Sequence, residues 1–355
     1  MLVQLQYIRA IAALLVVYFH AILQIDKLSP DTWLSSYLFG KSGVDLFFVL
    51  SGFVMWITTC GRTMSVTDFW WRRIRRIVPL YWATTLFAAA VAFAMPQILK
   101  STQFDIPHIL ASLFFLPWIN PSDPEGRMIA PLIVPGWTLN YEMYFYLLFG
   151  FCLAVPVRFR LAALIGLIAA VFALCNISGA QTTLARFYGD SVIFEFIAGA
   201  VLGQFYMRRT RLRIGTASAL TLLGFALLIY NDYRGFDLPR LLTIGVPAAL
   251  IVYCATAVEI ADERGWRWLR VLGDASFSIY LTHAFTLAGM RMIYPEVIAV
   301  LPSDTLFVVL MISASSLIGI ASYYLFELPV SKLLSSPTTR RAPPGIPTPK
   351  PLAGQ

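Results

Sequence analysis

The sequence predicts an all-α, polytopic membrane protein with about ten transmembrane helices, and three observations carry that prediction. Of 355 residues, 58% are hydrophobic and only 13% charged, where a soluble chain would be nearer one-quarter charged. The apolar residues gather in runs close to the ~20 that a helix needs to cross hydrocarbon. Basic residues fall in short clusters between those runs, as in the cytoplasmic loops of membrane proteins.

Taken in order, the predicted spans are 5–24, 43–60, 78–95, 136–155, 161–177, 191–207, 214–230, 241–258, 275–294 and 305–326. The first has no small-residue cleavage site after it, so it reads as a retained span and not a signal peptide. An eleventh apolar piece, "IPHILASLFFLPWI" at 106–119, is too short to span and is bounded by proline. It reads as a re-entrant or interfacial helix in the longest loop, 96–135. With the N-terminus inside, 18 Lys and Arg fall in inner connections and the tail, against 8 outside. Both termini are therefore expected to be cytoplasmic. Residues 1–330 form the membrane domain; the Pro-rich tail, 331–355, has little to bury and is expected to be disordered.

The net charge of +8 follows this loop pattern, which argues against nucleic acid as a partner. Cys60, Cys152, Cys175 and Cys254 lie in or beside apolar segments without metal-like spacing, so no metal is expected.

Ionisable groups inside spans are costly and mark candidate sites. Arg9 and His20 are eleven residues apart, close to three turns, so they share a helix face about 16 Å apart. A snorkelling Arg with an interhelical, hydrogen-bonded His is the competing account. Asp45, in "GKSGVDLFFVLSGFVMW", is expected at the depth of His20, where it would orient a general base; capping its own helix is the other reading. In "FWWRRIRRIVPLYW" (69–82), Arg72, Arg73, Arg75 and Arg76 exceed what topology requires. Arg73 and Arg76, at i and i+3, suit a phosphate, and anionic lipid is the alternative. Asn140 and Glu142, in "PGWTLNYEMYFYLLFG", are expected near His20 as acceptor-pocket, catalytic or oxyanion groups. Trp33, Trp118 and Trp137 are sugar-stacking candidates, with interfacial anchoring as the other reading. Glu195 and His283 read as structural.

These segments, together with "LQYIRAIAALLVVYFH", "LGDASFSIYLTH" and "YYLFELP", appear in the order and spacing of a known family. The chain resembles the acyltransferase 3 family, and within it the exopolysaccharide acetyltransferases, over about residues 4–330. The resemblance implies an O-acyltransferase of the bacterial cytoplasmic (inner) membrane. Such an enzyme takes an acyl group, usually acetyl, from cytoplasmic acetyl-CoA to a sugar hydroxyl beyond the membrane. It implies that Arg9, His20, Arg73 and Arg76 occupy functional positions. The acceptor would be a glycan or lipid-linked oligosaccharide, with membrane lipids and polysaccharide-assembly machinery as partners. The chain ends after the tenth span, so the fused esterase-like domain of some relatives is not expected. A transporter or flippase for a lipid-linked sugar is the alternative, though paired broken-helix repeats are absent from the sequence; a non-catalytic scaffold is a third reading.

Overall fold

The computed structural model describes residues 2–335 apart from 31, 63, 96–101, 178, 180, 209–210, 259–265 and 301. Most of the tail expected to be disordered lies outside these residues. The described chain is helical, and its only bridge between extended residues joins Ile119 and Ile129.

The helices, in chain order, are α1 (Val3–Leu28), α2 (Gly43–Thr59), α3 (Val66–Ala94), α4 (Ile106–Leu113), α5 (Trp137–Cys152), α6 (Val157–Ile177), α7 (Thr183–Tyr188) and α8 (Phe194–Met207). They continue as α9 (Ile214–Arg234), α10 (Val246–Thr256), α11 (Arg267–Asp274), α12 (Ser276–Met292), α13 (Tyr294–Val300), α14 (Asp304–Ser322) and α15 (Leu328–Leu333). Among the described residues six helical stretches are long and apolar enough to cross a membrane: Val3–Leu28, Phe39–Thr59, Val66–Ala94, Val157–Ile177, Ile214–Arg234 and Asp304–Leu333. Ser191–Met207 and Leu241–Thr256 are shorter apolar helices.

α1 is the centre of the bundle, packed on α2, α11, α12 and α14. Its alanines, Ala10, Ala12, Ala13 and Ala21, are fully buried, and these small side chains let neighbouring backbones approach. Glycines do the same for the closest pair, α2 and α8. A Cβ on Gly52 would collide with the Phe196 carbonyl, and one on Gly199 with the Val49 carbonyl.

The segment after α3 folds back along that helix. Phe104 packs on Phe93 near the end of α3, whereas the end of α4 reaches far lower. Tyr81 OH donates to the Ser112 carbonyl (3.1 Å) and Trp82 Nε1 to the Leu113 carbonyl (2.8 Å). Tyr81 stands 13 residues before the end of α3, a drop of about 20 Å. The chain climbs only partly before α5 begins, because Gly136 lies against the Tyr81 ring. The predicted span 136–155 thus starts inside the bundle, beside Tyr81 of α3. Its helix covers Trp137–Cys152 alone, with Phe149 packed on Phe69 at the other end. Above the dip, Asp123 accepts from the amides of Met128, Arg127 and Glu125, which hold its carboxyl below the usual pKa.

A π-helical turn at Leu241–Gly245 leads into α10 and aims Arg240 at α2. Arg240 Nε and Nη2 donate to the two oxygens of Asp45 at 3.0 and 2.8 Å, and Asp45 is fully buried. The buried carboxyl of Glu195 lies beside Asp45, in space left by the missing side chain of Gly245.

Gly199→Ala should destabilise the detergent-solubilised protein by about 1–3 kcal/mol. Gly166→Ala, whose Cβ meets nothing within 4 Å, should leave the melting temperature unchanged or slightly raised, because Ala favours the helix. Arg240→Ala strands the Asp45 carboxylate in the interior and should cost about 3–5 kcal/mol. Adding Asp45→Asn should recover part of that loss in the same thermal assay.

Candidate active site

Four arginines open the site because α3 starts where it does. Ser65 caps the helix, its Oγ accepting from the Asp68 amide at 3.0 Å. At 100° per residue, positions 72, 73, 75 and 76 then fall within an arc of about 160°. All four line a cavity of about 390 Å³ between α1, α2, α3, α5 and α12, and Arg9 of α1 joins them. Glu142, Ser51 and Tyr146 form part of the wall, and Thr138 and Tyr280 also line the cavity.

Five guanidinium groups around one space repel each other unless an anion shares it. Arg9 has Arg76 as a like-charged neighbour and Glu327, Asp274 and Glu142 as opposing ones. Arg73 lies 5.8 Å from the ring centroids of both Phe69 and Tyr146, and its buried Nε has no hydrogen-bond partner. Glu142 accepts from Tyr146 OH and from Ser51 Oγ (3.0 Å) through the same oxygen. The sequence reading put Glu142 with His20. The structure places it beside Arg73, because α5 begins low in the bundle.

Tyr280 is part of the cavity wall. Its hydroxyl donates to the Pro135 carbonyl at 2.6 Å and lies 2.7 Å from Thr138 Oγ1. Its ring is 5.9 Å from that of His283, and His283 is 4.9 Å from His20. Phe285, two residues on, meets Phe87 of α3, so the histidine pair sits in the upper middle of α3. Neither histidine lines the arginine cavity; Tyr280 is the ring common to both neighbourhoods.

His20 Nδ1 is 2.9 Å from the carbonyl of Val16, one turn back on α1. A carbonyl only accepts, so Nδ1 carries the proton and Nε2 of the neutral ring keeps its lone pair. This is the tautomer of a general base, fixed by backbone and not by a carboxylate. The Asp45 assignment as orienter is therefore corrected: Arg240 occupies both of its oxygens. Asn140 is pinned elsewhere too, its Nδ2 donating to the Leu116 carbonyl of the segment between α3 and α5 at 3.5 Å. Trp137 packs edge-on against Phe48 and Tyr141, whereas Trp33 and Trp118 are exposed.

Sequence reasoning missed Tyr146, Tyr280, Thr138 and Arg240. The i, i+4 spacing of Glu142 and Tyr146 was a usable signal. Arg240 was counted only for topology, and no local pattern brings Tyr280 to Pro135.

The acyltransferase domain of the acyltransferase 3 family matches residues 2–324. The exopolysaccharide production protein ExoZ of Rhizobium meliloti (strain 1021) is 36% identical, over 86% of this chain and 93% of its own. Acyltransferase MdmB of Streptomyces mycarofaciens is 30% identical, over 69% and 67%. The peptidoglycan O-acetyltransferase OatA of Listeria monocytogenes serovar 1/2a (strain ATCC BAA-679 / EGD-e) is 23% identical over 82% of this chain, which spans about half (51%) of that relative. No solved structure matches. A polytopic helical bundle with an arginine-lined cavity and a buried imidazole fits the family matched along its length: the chain belongs to the acyltransferase 3 family and is a membrane O-acyltransferase.

Proposed function

We propose that this protein moves an acyl group, most simply acetyl, from a cytoplasmic acyl-CoA to a sugar hydroxyl of an extracytoplasmic or lipid-linked polysaccharide. The observation that carries the reading is the cavity lined by Arg9, Arg72, Arg73, Arg75 and Arg76. Clustered guanidinium groups suit phosphates, which they grip bidentately, and the nucleotide end of coenzyme A is rich in phosphate. Above them the walls turn to Phe47, Phe48, Leu139 and Tyr280, a lining suited to a slender, weakly polar arm. The similarity to ExoZ, an exopolysaccharide production protein, and to OatA, a peptidoglycan O-acetyltransferase, supports a glycan acceptor.

In this reading the chain crosses the cytoplasmic membrane ten times with both termini inside. The six long helical stretches and the two shorter apolar ones are completed by α5 and α12, of 16 and 17 residues. Donor phosphates dock on the arginines at the inner face, and the arm extends toward His20, about 16 Å from Arg9 along α1. Only the acyl group then needs to pass outward. His20 Nε2 takes the proton of the acceptor hydroxyl as its oxygen attacks the thioester carbon, and the carbon–sulfur bond breaks. Tyr280 is the cavity-lining ring beside His283, and in this reading the acyl group passes it on the way to His20.

General-base help supplies typically 10²–10⁴-fold. His20→Ala should therefore lower acetyl transfer from labelled acetyl-CoA by about that factor while the protein still accumulates in membranes. Arg73→Ala should act differently: acetyl-CoA should raise the melting temperature of the wild type and shift the variant much less. Full activity in the first variant, or an undiminished shift in the second, would remove that residue from its role.

A further inference from the structure

His283 is fully buried, and its Nε2 has no hydrogen-bond partner. Its Nδ1 lies 2.6 Å from the Tyr280 carbonyl, so this nitrogen carries the proton and Nε2 holds a lone pair. A packing histidine ordinarily has its polar atoms satisfied. An orphan nitrogen alone decides nothing, since His108 Nδ1 is also unpaired. What separates His283 is position: its ring contacts His20 on one side and, on the other, Tyr280, which lines the arginine cavity.

Both imidazoles have their protons committed to backbone carbonyls, so neither can donate to the other in the resting state. The pair holds two bases and no shared proton. One proton brought in by an acceptor hydroxyl would complete it.

We infer that His283 is a second catalytic imidazole, which carries the proton from His20 to the departing sulfur. The inference rests on the acyl-CoA reading above. The proton leaves the acceptor hydroxyl for His20 Nε2 while its oxygen forms the new carbon–oxygen bond. It passes to His283 Nε2 and reaches the thiolate as the carbon–sulfur bond breaks. One O–H and one C–S bond are lost, one C–O and one S–H bond are made, and both imidazoles return to neutrality. His283 is placed for that second step because its ring lies against both His20 and Tyr280, and Tyr280 lines the donor cavity.

The test uses the full chain in membranes, with labelled acetyl-CoA and the membrane's own glycan as acceptor. His283→Ala and His283→Gln should each lower turnover by about 10²–10⁴-fold, with the stabilisation by acetyl-CoA retained. If the Ala variant does not fold, the Gln variant decides. Groups that handle the same proton are non-additive, so His20→Ala combined with His283→Gln should be no slower than His20→Ala alone. An acetyl thioester of an acidic thiol, S-(4-nitrophenyl) thioacetate, needs little help at sulfur. It should restore most of the His283→Gln rate and little of the His20→Ala rate. Wild-type turnover in the Gln variant, additive losses, or no recovery with the activated thioester would overturn the inference. Absence of transfer by the wild-type protein would instead overturn the acyl-CoA reading itself.

Discussion

Backbone that leaves a helix within a bilayer must find its hydrogen bonds in protein, because hydrocarbon offers none. The segment between α3 and α5 meets that demand with side chains. Tyr81, Trp82 and Asn140 hold the carbonyls of Ser112, Leu113 and Leu116. Ser112 Oγ accepts from the Leu132 amide, and His108 Nε2 donates to the Ala130 carbonyl. The site depends on this anchoring. A chain that returns from the dip at the height of Tyr81 starts α5 low, and Glu142 and Tyr146 thereby reach Arg73.

The interior separates two electrostatic tasks. Around the arginine cavity, positive charge exceeds the carboxylates near it, so a phosphate-rich ligand would be drawn in and would relieve repulsion within the wall. Around His20 and His283 there are two neutral rings, each oriented by a main-chain carbonyl. Tyr280 stands where the two regions meet, tied to Pro135 and Thr138 at the start of α5. The segment between α3 and α5 and the meeting point of the two regions therefore share an anchor.

Buried Asp45 and Glu195 form a separate cluster with the partly exposed Arg240. A buried ion pair is weak support for stability but a strong constraint on register, and here it ties α2 to the π-helical turn before α10. The glycine contacts of α2 with α8 fix the neighbouring helix in the same way. Together they hold α2 rigid along the wall it presents to the cavity through Phe47, Phe48 and Ser51.

Much of this protein was legible in its sequence. Length and polarity of apolar runs report helices directly, since hydrocarbon admits few alternatives, and the arginines of α3 lie close enough in sequence for helical geometry to bring them together. The same holds for Arg9 and His20 on one face of α1. The partners of Asp45 and Asn140 were not legible, and neither was the approach of Glu142 to Arg73 or the meeting of His20 with His283. Assigning depth from the ends of apolar runs assumes that each helix starts at the edge of the bundle, and α5 starts beside Tyr81, well within the length of α3. Which way a carboxylate points around its helix depends on a neighbour such as Arg240, 195 residues away. Periodicity within one helix is a local property; contact between helices is decided only when the bundle closes.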